Sequence, residues 1–253
     1  MTIFEAIILG IIQGITEFLP ISSSGHLVLL GKIWNIGGDF IFFSVTLHFA
    51  TLLAVCLYFK KEVWYLIKHP FCETAKKLYI ATIPTVILVL IFESRIQEFF
   101  SGIILPFCFM FTAVLLIVTQ LVSVKSKTLP IDKKGSFWMG VAQGIATIPG
   151  ISRSGSTICT GVIMGYDRTE SAKFSFLMSI PIIFASFLYE LLKLFKNGGG
   201  FFYPAQTIIA SIFAFFAGLL AIKLMLWIVK KIKFYYFAVY LILISIISFL
   251  FLS

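Results

Sequence analysis

Gly10-Ile-Ile-Gln-Gly-Ile-Thr-Glu-Phe-Leu-Pro-Ile-Ser-Ser-Ser-Gly25 and Gly140-Val-Ala-Gln-Gly-Ile-Ala-Thr-Ile-Pro-Gly-Ile-Ser-Arg-Ser-Gly155 are two versions of one segment. Shifted by 130 residues they align without a gap. Gly10, Gln13, Gly14, Ile15, Ile21, Ser22, Ser24 and Gly25 meet their own kind, eight identities in sixteen positions. Each copy begins as an apolar helical run, at 3–19 and at 136–148, and breaks at a proline and a Ser/Gly-rich loop. Each then resumes as a short apolar run from His26 or Ser156. Proline stops a helix because it lacks an N–H and its ring collides with the preceding turn. The second arms are too short for a hydrocarbon core about 30 Å thick, which takes about 20 helical residues. Each copy is therefore expected to be a re-entrant helix–loop–helix that enters and leaves on one side.

The rest of the chain demands a membrane. Of 253 residues, 60% are hydrophobic and 12% charged, about half the charged fraction of a soluble domain, and mean hydropathy is +1.05. Such a composition excludes a disordered chain, a coiled coil and a disulfide-stapled secreted domain. Six continuous apolar segments, near 40–59, 77–93, 103–122, 172–193, 205–229 and 234–252, are long enough to cross as helices. They do not alternate as barrel strands do. Pro84, Pro106 and Pro181 fall inside them and are read as kinks, which membrane helices tolerate.

The expected fold is an all-α polytopic membrane protein, a single membrane domain over 1–253. It divides into a first repeat, 1–122, and a second, 136–253, each one re-entrant hairpin followed by three spans. Three is odd, so the second repeat is expected to be inverted. Inverted repeats with broken helices meeting near the midplane are a plan for handling polar substrates in membranes.

The net charge of +9 is no nucleic-acid signal, because the basic residues sit in short clusters between apolar runs. Lys60, Lys61, Lys68, Lys76, Lys77, Lys125, Lys127, Lys133, Lys134, Arg168, Lys173, Lys230, Lys231 and Lys233 fall on one side, 14 in all. Lys32, Arg95, Lys193 and Lys196 fall on the other. The richer side is expected to be cytoplasmic, with both termini outside. The first hairpin then dips in from outside and the second from the cytoplasm. Cys56, Cys72, Cys108 and Cys159 show no metal or disulfide spacing. The first residues lack a basic n-region and a cleavage site, so no removed leader is expected.

Ionisable residues at membrane depth are costly and usually functional. Here they are Glu17, His26, Arg153 and Lys223. Gln13 and Glu17 share a helix face, and two oxygen-bearing side chains one turn apart can hold a hard divalent cation. Pairing of Glu17 with Arg153 is the structural alternative. The Ser/Gly loops place helix N-termini, ready anion sites, beside Arg153, whose planar fork suits phosphate oxygens. Ser22, Ser24, Ser152 and Ser154 either bind phosphate or cap helices. His26 with Ser23 adds nucleophilic or acid–base chemistry. His48 and His69 read as structural, and Glu93, Arg95 and Glu98 as a solvated loop.

The string Gln13-Gly-Ile-Thr-Glu17-Phe-Leu-Pro20-Ile-Ser-Ser-Ser-Gly25-His26 resembles the (E/Q)xxxE-FLP-[I/V]SS-x-GH signature of bacterial undecaprenyl-diphosphatases. Pro149-Gly150-Ile151-Ser152-Arg153-Ser154-Gly155-Ser156-Thr157 resembles that family's PGxSRSxxT motif, and the likeness runs on through Phe174–Leu177 and Ala221–Lys223. The resemblance implies a multi-pass enzyme of the bacterial inner membrane. It would hydrolyse undecaprenyl diphosphate to the monophosphate and inorganic phosphate, recycling the lipid carrier of cell-wall polymers, with a link to bacitracin resistance. It also implies a Mg2+ or Ca2+ cofactor, and an active site opening to the extracytoplasmic side. By position it assigns the site to Glu17, Ser23, His26, Ser152, Arg153 and Thr157.

Joined to the residue reading, this makes Glu17, Ser23, His26 and Arg153 catalytic. Ser22, Ser24, Ser152, Arg153, Ser154 and Thr157 bind phosphate, and Glu17 and Gln13 hold the metal. Ser23 is the expected nucleophile with His26 activating it or protonating the leaving group. A His26 phospho-intermediate and direct attack by water stay open. Gln13, where many members carry Glu, cannot act as a base. The expected partners are the polyprenyl diphosphate lipid and the membrane, with a homodimer an open option and no nucleic acid. The rival class is a lipid-phosphate flippase, since inverted repeats and broken helices also build transporters.

Overall fold

The computed structural model describes residues 1–37, 40–92, 95–99, 102–122, 129–196 and 203–252. Glu93, Lys125 and Lys127, used above in the loop and charge readings, lie outside the described residues. Helices account for nearly all of the rest, in the order α1 (Ile3–Phe18), α2 (Ser23–Ile33), α3 (Phe40–Tyr58), α4 (Lys60–Lys68), α5 (Glu73–Phe92) and α6 (Ile96–Phe99). There follow α7 (Leu105–Val122), α8 (Lys133–Ile145), α9 (Arg153–Ile163), α10 (Arg168–Lys196), α11 (Pro204–Lys231) and α12 (Tyr235–Leu252). Among the described residues, α3, α5, α7, α10, α11 and α12 are long and apolar enough to cross a membrane. They are the six expected spans. Helices α5 and α10 run on past Pro84 and Pro181, whereas Pro106 lies in the first turn of α7 and interrupts nothing. The amphipathic α4 falls where the sequence reading had only a loop.

The molecule is apolar outside as well as in. Phe107, Leu220 and Leu250 are 68%, 72% and 71% exposed on the span surfaces, where hydrocarbon rather than water is the compatible solvent.

Each broken segment is a helix pair. Helix α1 starts with a capping box, in which Thr2 and Glu5 bond each other's backbone N–H groups, and ends at Leu19, just before Pro20. Helix α8 is capped by Asp132, whose carboxylate accepts from Gly135 N–H at 2.7 Å. The two arms of the second pair close at one end: Tyr166, after α9, donates its hydroxyl to Asp132 at 2.6 Å, and Leu129 bridges Tyr166. The Tyr166 hydroxyl, and then the Gly135 N–H, hold the Asp132 carboxyl below the usual carboxylate range. In the first pair Met1 and Ala6 of the opening arm share an apolar cluster with Leu30 and Trp34 of the returning arm. Both pairs thus come back to the end they entered from.

The turns differ for a local reason. Gly150 takes φ +94, which glycine adopts without steric cost. Its counterpart is Pro20, whose ring fixes φ near −65°. The first loop makes its left-handed turn two residues later, at Ser22, φ +68. A non-glycine residue there costs about 1–3 kcal/mol, a strain typical of functional sites.

Packing repeats between the halves. Helix α1 lies on α11 and α8 on α5. A Cβ on Gly10 would stand 2.2 Å from the Ala210 carbonyl oxygen, and one on Gly140 would stand 2.1 Å from that of Ala81. Small residues at such crossings let membrane helices approach closely, where dispersion and polar contacts replace the hydrophobic drive. Thr85 of α5 donates to the Gly140 carbonyl at 2.8 Å across the second crossing. Elsewhere Gln120, at the end of α7, accepts from Arg168 at 3.4 Å and from the Phe234 N–H at 3.0 Å, gathering the starts of α10 and α12. At the other end of the molecule Gln206, early in α11, donates to the Met1 carbonyl at 3.3 Å.

Gly10→Ala and Gly140→Ala should each cost about 1–3 kcal/mol by forcing the crossings apart, while Gly37→Ala, with open space around it, should be neutral. Thermal unfolding in detergent checks this: the first two midpoints should fall by roughly 2–4 °C per kcal/mol and the third should not move.

Candidate active site

The tips of the two helix pairs interlock. Ser154 donates to the Leu19 carbonyl at 2.8 Å, and a Cβ on Gly25 would stand 2.9 Å from Gly150 Cα. At this junction Arg153 Nη2 bonds Glu17 Oε1, an ion pair between α9 and α1. The structural alternative for Glu17 is therefore real, and it coexists with a cavity. About 380 Å³ of space opens above the pair. Its floor is Glu17, Ser23, Ser24, His48, Ser152 and Arg153, and its wall is mostly apolar, including Ile41, Val45, Val86, Leu90, Ile182 and Ile183, with Ser186, Tyr189 and Glu190 of α10 also lining it. Both α2 and α9 present their first residues to it, so two N-terminal dipole ends meet a positive guanidinium at one floor, an arrangement suited to anions.

Glu17 organises the floor. Its Oε2 accepts from Ser23 Oγ at 2.6 Å and from Gln13 Nε2 at 2.9 Å, and lies 3.4 Å from His48 Nε2. Its side chain is 1% exposed and that of Arg153 18%, toward the cavity.

The family model described as "Bacitracin resistance protein BacA" matches residues 6–247. The chain belongs to this family. Its relatives include the undecaprenyl-diphosphatase of Christiangramia forsetii, 40% identical over 264 residues, covering 99% of this chain and 98% of that one. That of Halothermothrix orenii is 41% identical over 247 residues, covering 95% and 94%. That of Bacteroides fragilis strain ATCC 25285 is 37% identical over 257 residues, covering 97% and 96%.

Within this BacA member, the expected residues divide into those at the cavity and those behind it. Glu17, Ser23, Ser24, Ser152 and Arg153 line it. Ser22, Ser154 and Thr157 do not: all three are buried, with their hydroxyls spent on the backbone and on neighbours. Ser22 caps α2 through Gly25 N–H, Ser154 ties the loops together, and Thr157 shares a 2.6 Å bond with Ser175. Capping explains these positions, since the first N–H groups of a helix have no partner of their own. Ser152 does both, capping α9 through Gly155 N–H while facing the cavity.

The expected pairing of Ser23 with His26 is not what the structure places there. His26 Nδ1 donates to the Ser22 carbonyl at 2.7 Å, which draws the ring back along α2, and Nε2 accepts from the Tyr240 hydroxyl at 2.7 Å. The ring stacks on Tyr240 and meets Phe109 edge-on. His26 thus joins α2 to α12 and α7 away from the cavity lining. His48, read from the sequence as structural, is the histidine that faces Ser23, with Nε2 3.4 Å from Oγ. A lone histidine in a Phe-rich span carries no local mark of that role; the contact exists only because α3 packs beside the first hairpin. Lys223 is exposed on α11 and does not line the cavity.

For a cation, Glu17 is the carboxylate on the floor, and no group of three or more His, Cys, Asp or Glu gathers among the described residues. Gln13 lies behind Glu17 and turns its amide nitrogen to it. Its Oε1 is buried without a partner. The Glu17 carboxylate and this orphaned amide oxygen are hard donors, and Glu190 brings a second carboxylate to the cavity wall. They fit a cation that takes few protein ligands and completes its shell with phosphate and water.

Arg153→Lys keeps the counter-ion for Glu17 but loses the two-pronged fork. If the fork grips phosphate, each lost charge-assisted bond costs about 1.5–3 kcal/mol, or roughly ten- to hundredfold in rate at about 1.4 kcal/mol per tenfold. Phosphate release by Arg153→Lys protein that elutes as one species in detergent should fall by that factor; activity within about twofold of wild type would leave Arg153 a counter-ion only.

Proposed function

We propose that this chain hydrolyses undecaprenyl diphosphate to undecaprenyl phosphate and inorganic phosphate, returning the lipid carrier to cell-wall polymer synthesis. The observation that carries the reading is the split character of one cavity. A wall that is mostly apolar, with Ile41, Val45, Val86, Leu90, Ile182 and Ile183, suits a prenyl chain. A floor of guanidinium, hydroxyls, carboxylate and two helix N-termini suits a diphosphate. The names of the relatives, undecaprenyl-diphosphatase in each case, agree with that chemistry.

Phosphoryl transfer is catalysed mainly by positioning and electrostatics. Arg153, Ser152, Ser24 and the loop N–H groups hold the phosphoryl oxygens. Ser23 Oγ, already bonded to Glu17, attacks the terminal phosphorus while its proton passes to Glu17. The Oγ–P bond forms, and the bond from phosphorus to the bridging oxygen breaks with its electron pair leaving on undecaprenyl phosphate. Water then displaces Ser23 from phosphorus, and Ser23 recovers a proton. Glu17 and Gln13 would hold a Mg2+ or Ca2+ ion, which would supply positive charge to neutralise the phosphate. Thr157 and Ser154 support the loop that carries Arg153, and His26 fixes α2 through Tyr240.

In the same reading the halves 1–122 and 136–253 are inverted repeats in the bacterial inner membrane. The paired contacts of Gly10 with Ala210 and Gly140 with Ala81 support it, as do helix pairs that close at opposite ends of the molecule. The cavity opens between the start of α3 and the ends of α5 and α10. Those ends belong to the side poor in Lys and Arg, so the active site faces outward.

Purified protein in detergent micelles, which have no two sides, should release inorganic phosphate from undecaprenyl diphosphate, and Glu17→Gln should abolish release across a Mg2+ and Ca2+ titration. Absence of release from folded wild-type protein would favour a lipid-moving role instead. For orientation, Glu98→Cys and Lys134→Cys in a background cleared of native cysteines should differ in intact cells. An impermeant maleimide should label the first and not the second, and the reverse pattern would overturn the assignment.

A further inference from the structure

We infer that His48 is a positioning residue for the reaction: its Nε2 is a second acceptor that sets the rotor of the Ser23 hydroxyl. The inference rests on the reading of Ser23 as the attacking group and adds a residue from a different helix, α3, to the site.

The geometry begins with the tautomer. His48 Nδ1 lies 2.8 Å from the Ser44 carbonyl, one turn earlier on α3. A carbonyl only accepts, so Nδ1 carries the hydrogen and, in the neutral ring, Nε2 presents a lone pair. That lone pair faces the cavity floor, 3.4 Å from Ser23 Oγ and 3.4 Å from Glu17 Oε2, while Oγ and Oε2 are 2.6 Å apart. The three atoms form a triangle with two acceptors and one hydroxyl donor. The only hydrogen within it is the one on Ser23, so both acceptors draw that hydrogen inward. The lone pairs of Oγ are then turned out toward the cavity, where the phosphorus of a bound diphosphate would arrive. The 2.6 Å bond to Glu17 directs the hydroxyl from one side. With Nε2 on the other side, its swing is confined.

The imidazole also occupies space that water would otherwise take. His48 lines the cavity with Ser44 and Val45 of the same helix face. Arg153 holds the other carboxylate oxygen of Glu17. Attack geometry is sensitive to small misplacements, and an error of about 1 Å can cost about a hundredfold in rate. A residue that narrows the hydroxyl's orientation should therefore act on kcat and leave the binding of the diphosphate, carried by Arg153 and the loops, largely alone.

The role requires an acceptor at the position of Nε2, which a glutamine side chain supplies and an aliphatic one does not. The test compares His48→Gln with His48→Leu in purified protein, measuring phosphate release from undecaprenyl diphosphate as kcat and KM separately. His48→Gln should stay within about threefold of wild-type kcat. His48→Leu should lose at least roughly tenfold in kcat, and KM should move by less than about threefold in both. Equal kcat in the two variants, whether high or low, would overturn the inference, as would a loss in His48→Leu that appears in KM alone. If His48→Leu does not elute as a single species, His48→Met, similar in length and without an oxygen or nitrogen, carries the same comparison with the same outcomes. Failure of wild-type protein to release phosphate at all would instead count against the proposed function, so the two failures are distinct.

Discussion

The contact between Glu17 and Arg153 is the constraint on which the rest of the structure depends. Two opposite charges taken out of water in a membrane are costly, and removing one partner of such a pair typically costs about 3–5 kcal/mol because the other is left unmatched. The partners come from different halves of the chain, 136 residues apart. The pair therefore holds only if both broken helices reach the same depth with their tips in register. Ser154 to Leu19 and the Gly25–Gly150 approach are what that register requires of the backbone.

The bundle around the junction is built to keep those tips meeting. A glycine at each hairpin's crossing brings backbone against backbone on a helix of the other half, Gly10 on Ala210 and Gly140 on Ala81. The two similar segments have a divided chemistry. Ser23 in the first copy stands where Arg153 stands in the second, and Glu17 where Thr147 stands. One half supplies the carboxylate and the hydroxyl, the other the guanidinium. The two equivalent glutamines have likewise diverged. Gln13 donates to Glu17, whereas Gln143 donates to Thr85 and to the Met178 carbonyl. The cavity floor therefore lies where the tips of the two helix pairs meet, and neither pair supplies all of it.

The bonded polar groups at and beside the two loops fall into two kinds, and the distinction is whether they face the cavity. Thr157, Ser154 and Ser22 have bonds to backbone and to one another, and their hydroxyls keep irregular loops tolerable where water is scarce. Ser23, Glu17, Arg153 and His48 are also bonded, but to each other and at the edge of a cavity. The first kind maintains a shape. The second presents it to a ligand.

How far the sequence went can be judged from particular residues. The six spans, the two broken segments and their kinship were legible, because apolar runs of membrane length and a proline followed by Ser/Gly are local signals. Glu17, Ser23, Ser24, Ser152 and Arg153, which line the cavity, could be singled out beforehand because the motifs carry them. The partners were not. The sequence placed His26 beside Ser23 by proximity along the chain, and the structure gave His26 to Tyr240, 214 residues away. It read His48 as structural, and the structure put it on Ser23. Which serines cap and which face the cavity was likewise open until the loops had a shape. Hydropathy and helix breaking are properties of neighbouring residues, so the sequence by itself determined the spans, the breaks and the residue types at the breaks. Which side chain meets which depends on how helices far apart in the chain cross, and that was decided only by the tertiary structure.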